Sequence, residues 1–402
     1  MAEPPLVLLV LFEGLPSTVI DSAVLDYARQ LASVDIARFE IWAFCPTLTI
    51  YRDSRKRLET AKRLAGCPVR LFRAVRPAMP GSMAINAHLL RSALQRLEPR
   101  PDLIHARGDY TNAVCALAKE TFRIPLLWDC RGDSVVEAEE RLRRYVIPHA
   151  LKQGKLRREA RIRQKAAAAC DGALFVSNPL KAVCAELLGD TPAAVIPCTA
   201  SEDVFFFNEC LRTQLRERLG YAADHRVFVF SGGMQRYQCV DLTVEVFRKL
   251  AAENPTARLL IITPHVPTAI RSLQFRHQGL VRVIEASYHE VNSYLNAADA
   301  GFLLREKSRL NEVASPTKFA EYCLTGLPVI MQNTVKDAFE MARSLGNLIE
   351  LTDLGVHLPT TGFDRTSVAN KARILMGRRA LSNRYRAIYG EILQTNRQSL
   401  QG

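Results

Sequence analysis

The sequence has no apolar run approaching the roughly 20 residues that a membrane-spanning helix needs. It has no Cys-x-x-Cys pair and no cluster of Cys and His at metal-ligand spacing, so no metal is expected. No G-x-G-x-x-G follows the first strand pattern and no G-x-x-x-x-G-K-[ST] occurs, which leaves a nicotinamide-dinucleotide fold or a P-loop without support, and no resident cofactor is expected. No internal repeat or low-complexity tract is present. The start, MAEPPLVLLVLFEG, lacks a basic leader and is interrupted by Glu13, so it reads as a first buried strand rather than a signal peptide. Acidic residues are the scarcer charge, 41 against 54 Lys and Arg, which leaves a formal net charge of +13. Residues 1–198 hold 29 basic against 21 acidic side chains, and the remainder 25 against 20. That balance favours an anionic partner such as a nucleotide or a membrane surface. The ten cysteines are scattered; Cys115, Cys184 and Cys323 fall in helical patterns as small core residues, and a reducing cytoplasm is expected.

A chain of 402 residues with 48% hydrophobic and 24% charged residues has the composition of a soluble globular protein and room for two domains. Strand-like apolar runs alternate with amphipathic helical stretches, which predicts α/β architecture with parallel sheets covered on both faces. The strand candidates of the first half are Leu6–Phe12, Phe39–Phe44, Val69–Phe72, Leu103–His105, Leu126–Asp129, Ala173–Val176 and Val195–Pro197. Those of the second are Val227–Phe230, Leu259–Thr263, Val281–Ile284, Gly301–Leu304, Leu327–Met331 and Leu348–Leu351. Two doubly wound, Rossmann-like domains are expected, over residues 1–199 and 200–375. Residues 376–402 form a final helix.

Ser315 to Ile330, SPTKFAEYCLTGLPVI, is the densest stretch. Ser315 suits a helix N-cap, Pro316 the first helical position, and Gly326 the stop before a short apolar strand. The amides and dipole of that helix start, from Ser315 through Thr317, suit phosphate. Lys318 lies in the first turn, with Glu321 on the same face in a solvent-facing cleft. A cation for phosphate beside a carboxylate for sugar hydroxyls fits a nucleoside diphosphate. The plainer alternative is an amphipathic helix with Lys318 and Glu321 as a surface ion pair.

Other unusual segments fall at the carboxyl ends of strands, where open α/β sheets bind ligands. Val227–Phe230 runs into a turn containing Gly232 and Gly233, with Arg236 nearby as a cation. Gly301–Leu304 ends in Arg305, within reach of the helix start at Ser315. Leu6–Phe12 ends in a loop holding Glu13 and Gly14. Leu103–His105 and Leu126–Asp129 end in Arg107 to Asp109 and in Arg131 to Asp133, suggesting a cleft that faces the second domain. Asp109 and Asp133 suit helix N-caps and His105 a core position, whereas Asp129 and Arg131 are candidates for chemistry. Arg141 to Lys165 carries ten Lys and Arg and a single Glu, either a solvated face or a docking surface for anionic lipid.

Over both domains, and most strongly over Leu295–Ile330, the chain resembles the family 4 glycosyltransferases, retaining enzymes of the GT-B fold. It looks closest to the bacterial surface-polysaccharide branch, whose members carry S-P-x-K-x-x-E-Y before G-x-P-V-I. The resemblance implies that Glu321 binds the donor ribose, and that Lys318 and the amides after Ser315 hold the diphosphate. SGGMQRYQCVDL resembles the glycine turn of the family, with Arg236 as a phosphate ligand. Asp129 matches a position contacting the transferred sugar, and Gly14–Ser17 the turn under acceptor and donor phosphate. Two departures stand out. Val313 occupies the place of a carboxylate in the Glu-x7-Glu pattern, and Gln238 that of a lysine after the glycine turn.

The implied activity is metal-independent transfer of a sugar from a nucleotide-diphosphate sugar to a saccharide acceptor carried on lipid, in polysaccharide biosynthesis. No nucleic acid partner is implied. The enzyme would be cytoplasmic, peripheral on the inner face of the membrane. A sugar-nucleotide epimerase or hydrolase of the same fold, and a non-catalytic partner subunit, are the alternatives. The final helix is expected to cross onto the first domain as a strap that each domain can fold without.

Overall fold

A computed structural model describes residues 3–15, 20–272, 279–353, 355–358 and 363–401. The chain divides into two compact units, Met1–Pro197 together with Leu381–Gly402, and Cys198–Ala380. Each is built on one seven-stranded sheet.

In the first unit the strands are β1 (Leu6–Leu11), β2 (Arg38–Cys45), β3 (Val69–Arg73), β4 (Leu103–Arg107), β5 (Leu126–Cys130), β6 (Gly172–Phe175) and β7 (Ala193–Val195). They lie in the order β3-β2-β1-β4-β5-β6-β7, all parallel. Parallel strands covered on both faces are apolar throughout, and β1 shows why its run reads LVLLVL. Val7, Leu9 and Leu11 point to one core, while Leu8 and Val10 point to the other with Phe12 just beyond the strand end. The helices used below are α1 (Leu48–Ala65), α2 (Asp109–Phe122), α3 (Ser134–Leu142) and α4 (His149–Ala169) in this unit, and α5 (Thr317–Leu324) in the second. The last is α6 (Arg378–Gln401), whose residues from Leu381 onward belong to the first unit.

The second unit repeats the plan with β8 (Arg226–Ser231), β9 (Ala257–Ile262), β10 (Val281–Ile284), β11 (Ala300–Leu303), β12 (Val329–Met331), β13 (Leu348–Thr352) and β14 (Gly355–Val356). The order is β10-β9-β8-β11-β12-β13-β14. One strand departs from the all-parallel expectation: β14 pairs antiparallel with β13.

The final helix is more than a strap. Leu381, Tyr385, Ile388, Tyr389 and Ile392 recur at helical spacing and enter the same buried cluster as Val7 and Leu9. Burying five such side chains is worth on the order of 10 kcal/mol, comparable to the stability of a whole domain. That burial weighs against the expectation that the first domain folds without this helix.

In each sheet the strand order reverses at the centre, between β1 and β4 and between β8 and β11. Residues beyond the carboxyl ends of those strands are where such folds place ligands. Among the described residues, no helix is long and apolar enough to cross a membrane.

Candidate functional site

In the second unit, β8 ends in Ser231 and the chain turns at Gly232, whose φ of 140° only glycine adopts freely. Its amide donates to the Ile262 carbonyl at 3.0 Å, which pins the turn to β9. A Cβ here would lie 3.1 Å from Nζ of Lys318, so the missing side chain is what leaves that ammonium room. At Gly233 a Cβ would meet only the flexible end of Gln235.

Lys318 comes from the first turn of α5. The helix begins at Thr317 with Pro316 as its N-cap residue and has no side-chain cap. This corrects the expected role of Ser315, whose hydroxyl instead accepts from the Cys198 amide at 2.9 Å, a partner 117 positions away. At this start the Phe319 amide donates back to the Pro316 carbonyl at 3.0 Å, while the amides before it have no intrahelical acceptor. Tyr322 ties the helix to the sheet, its hydroxyl accepting from the Ser231 amide at 3.0 Å while its ring fills the space over Gly301.

The Lys318 side chain is buried at 7% exposure and its ammonium has no hydrogen-bond partner among the described residues. It lies 4.1 Å from the centroid of the Phe230 ring, a cation–π contact that offsets part of its lost hydration. Arg305, just past β11, is equally buried at 5% exposure. Among the described residues its guanidinium donates only to the carbonyl of Leu304, and it sits 5.7 Å from the Tyr237 ring. Burial and the neighbouring Arg305 hold the Lys318 ammonium well below the ordinary lysine range, and burial likewise lowers Arg305. Two buried cations thus share a corner with no ion pair among the described residues. The buried Oε1 of Gln238 beside them also lacks a partner among the described residues.

The surface ion pair between Lys318 and Glu321 does not form, because Lys318 turns inward toward Phe230. Glu321 is half-buried rather than solvent-facing. Burial pushes its carboxyl up to about 7, against the pull of Lys318 and Arg378. Arg236 lies apart from the buried pair, exposed on a short turn with its Nε 3.6 Å from Glu306.

In the first unit, Asp129 is buried on β5, one residue before the strand ends. Arg131 approaches its carboxylate at 3.5 Å, His105 at 3.6 Å and Arg107 at 3.8 Å. Burial would raise its pKa, but Arg131, His105 and Arg107 together hold it well below the usual carboxylate range. His105 also meets the hydroxyl of Tyr389 at 2.9 Å, so α6 reaches beneath this strand end. Gly14 adopts a φ of 66°, and a Cβ there would lie 2.5 Å from Ile50 of α1. Its glycine is demanded by packing, whatever the loop binds. Of the expected Gly14–Ser17 turn, residues 16 and 17 lie outside the described residues.

Two further expectations are corrected here. Asp133 does cap α3 through the Val136 amide, but Asp109 occupies the first turn of α2 with Gly108 at the cap position. Asp109 accepts instead from Ser134 at 2.6 Å and Trp128 at 3.2 Å. Both aspartates bind Arg163, at 3.3 Å and 2.7 Å. Arg163 belongs to the basic run yet faces inward, because two buried carboxylates outweigh its own hydration. Phe230 and Tyr237, the aromatic walls of the two cations, carried no sequence signal beyond an apolar strand and a turn. Among the described residues, no group of three or more His, Cys, Asp or Glu could hold a metal ion.

Two parallel-stranded α/β units in one chain, with the final helix returning to the first, are the architecture of GT-B proteins. Residues 23–203 match the family described as Glycosyltransferase Family 4. Over that stretch, 181 of the 402 residues, the chain is family 4-like, and its fold is that of the GT-B proteins. It is 26% identical over 287 residues to TuaC of Bacillus subtilis, named as a teichuronic acid biosynthesis glycosyltransferase, and the match spans 69% of this chain and 65% of that protein. Its fold is similar to HepE of Anabaena, solved with UDP and glucose, at a TM-score of 0.59 and 15% identity over 98% of both chains. It is equally similar to sucrose-phosphate synthase of Thermosynechococcus elongatus, with a TM-score of 0.59 and 14% identity over 99% of this chain and 98% of that one.

Proposed function

We propose that the chain is a retaining glycosyltransferase of polysaccharide biosynthesis, moving a sugar from a nucleotide-diphosphate donor to a lipid-linked saccharide without a metal ion. One observation carries this reading: Lys318 and Arg305 are buried as neighbours, and among the described residues neither forms an ion pair, with Glu321 acting on Lys318 only from a distance. Burying an unpaired ammonium costs several kcal/mol, and a second cation beside it adds repulsion. A fold retains such a corner where a working ligand brings the missing negative charge, and a diphosphate brings two or three. HepE of Anabaena, solved with UDP and glucose and with UDP-glucose, is consistent with a nucleotide of that kind.

The chemistry follows from the charge. As the bond between the sugar and the β-phosphate oxygen breaks, negative charge accumulates on the leaving diphosphate. Lys318, Arg305 and the amides at the start of α5 are placed to stabilise that charge, and Arg236 can add to it from the rim. The acceptor hydroxyl attacks on the face the diphosphate leaves and passes its proton to the departing phosphate oxygen, so no protein nucleophile is needed. Glu321 takes the ribose hydroxyls. Asp129, kept ionised by its three basic neighbours, takes hydroxyls of the transferred sugar together with Arg131. The basic residues between Arg141 and Lys165 draw the protein onto an anionic leaflet.

The test is thermal stabilisation by UDP, GDP and their sugars. Ligand at about 100 times its dissociation constant adds ~2.7 kcal/mol of stability. Lys318→Met and Arg305→Met variants are expected to fold and to lose that shift, while EDTA leaves parent turnover unchanged. Equal stabilisation of parent and variants, or none by any nucleoside diphosphate, would count against the reading.

A further inference from the structure

Between α3 and α4 the chain turns through Arg143 to Pro148, and the turn carries apolar side chains at its tip. Tyr145 is 66% exposed, Val146 fully exposed, and Leu151 in the first turn of α4 61% exposed. Single apolar side chains on a surface are ordinary, but three large ones within seven residues form a patch. Leu151 lies seven residues before Arg158, on the same face of α4 and about 10 Å along it. Arg158 donates to the carbonyl of Pro77, in the loop whose Met79 is 52% exposed.

Cations surround this patch. Arg141, Arg143 and Arg144 lead into the turn, and Lys155, Arg157, Arg161 and Lys165 follow along α4, all exposed. Arg143 is engaged by Glu140 at 3.0 Å. Arg144, Lys155, Arg157, Arg161 and Lys165 form no ion pair among the described residues. A purely solvated basic face gives no reason for a Tyr-Val-Ile tip. A folded protein partner would have to match cations spread along a helix about 30 Å long. A fluid surface of negative headgroups over an apolar interior meets both features at once.

We propose that Tyr145, Val146 and Leu151 form an apolar wedge that inserts into the boundary between headgroups and acyl chains of an anionic bilayer, with the cations of α4 resting on lipid phosphates. This goes beyond electrostatic adhesion, and it rests on the proposed membrane contact without depending on the sugar-transfer chemistry. The two contributions respond differently to salt. Screening shortens electrostatic reach from about 10 Å at 0.1 M to about 3 Å at 1 M, while the apolar contribution is unaffected.

The experiment uses the full chain and vesicles of phosphatidylcholine with or without phosphatidylglycerol. The two native tryptophans, Trp42 and Trp128, are buried, so a Val146→Trp variant adds an exposed reporter. On phosphatidylglycerol vesicles its emission should shift to the blue and be quenched by lipids brominated near the headgroup. Parent binding should fall at 1 M salt yet stay measurable. A Val146→Asp/Leu151→Asp variant should bind at least tenfold more weakly at low salt and not at all at 1 M. Arg157→Glu/Arg161→Glu should lose the preference for phosphatidylglycerol. Both double variants should keep the parent's thermal shift with UDP, which separates failure of the wedge from failure of the donor reading. Binding without a blue shift or quenching would overturn insertion. Undiminished binding by the aspartate variant, or no parent binding to either vesicle, would do the same. Self-association of the parent that Val146→Asp abolishes would assign the patch to a second copy of this chain and overturn the proposal.

Discussion

Replacing Glu321 by glutamine tests the site from two directions at once. Burial holds the Glu321 proton up to about pH 7 in the folded chain, whereas an ordinary glutamate releases it at 4.5. Between those limits the folded state binds more protons than the unfolded one, so stability falls as pH rises through the window and is flat above it. The full effect would be about 3 kcal/mol at pH 8, and water reaching a half-buried carboxylate reduces it to about 1–2 kcal/mol. Glutamine keeps the shape of the protonated acid and cannot ionise. Glu321→Gln should therefore be more stable than the parent by about 1–2 kcal/mol at pH 8, a rise of roughly 2–8 °C in the melting of a unit this size. At pH 5 the two should agree within about 0.5 kcal/mol. Donor binding should move the other way. At pH 8, where Glu321 is ionised, loss of that acceptor for the ribose hydroxyls costs about 1.5–3 kcal/mol, or roughly 10- to 100-fold in the dissociation constant of UDP. Calorimetric melts between pH 5 and 8.5 and a titration with UDP read both quantities. A stability difference independent of pH would refute the burial argument, and an unchanged UDP affinity would refute the binding role.

Three further outcomes follow from the same structure. Lys318 has its pKa depressed by burial, so the free protein should gain stability as pH rises from that depressed value toward about 10.4, and Lys318→Met should remove this slope in pH-dependent melts. Arg163→Met strands Asp109 and Asp133 inside the first unit and should cost about 3–5 kcal/mol, visible as a fall of roughly 10 °C in its melting, whereas exchanging the exposed Arg161 should change it little. Ending the chain at Gly377 removes Leu381, Tyr385, Ile388, Tyr389 and Ile392 from the first core, and proteolysis should then digest residues 1–197 while the second unit resists; equal resistance of both would show the helix to be dispensable.

Much of the architecture was legible because it depends on local periodicity. The run LVLLVL could only be a strand covered on both faces, and the helix-to-strand passage from Thr317 to Met331 was marked by its proline, its glycine and its apolar spacing. The phosphate-site candidates were recognisable by their place after strands. What each one does there was less so. Ser315 has the right residue type for a cap, but the Cys198 amide reaches its hydroxyl first. Arg163 is one of ten similar residues in its run, and only the approach of α2 and α3 singles it out. Val146 reads as an ordinary apolar residue between two helices, and only the fold leaves it uncovered.

By itself the sequence determined the class of fold, the succession of strands and helices, and the loops that carry charged side chains to strand ends. These depend on which side chains prefer burial and on how glycine and proline bend the backbone, and both are properties of neighbouring residues. Tertiary structure alone decided the electrical state of those side chains. Lys318 became a buried amine whose charged form is disfavoured and whose nitrogen has no hydrogen-bond partner among the described residues, Glu321 an acid that titrates near neutrality, and Asp129 a carboxylate held ionised by His105, Arg107 and Arg131. The reason is that a charge responds to everything within several ångströms of it, and most of those neighbours are distant in the chain.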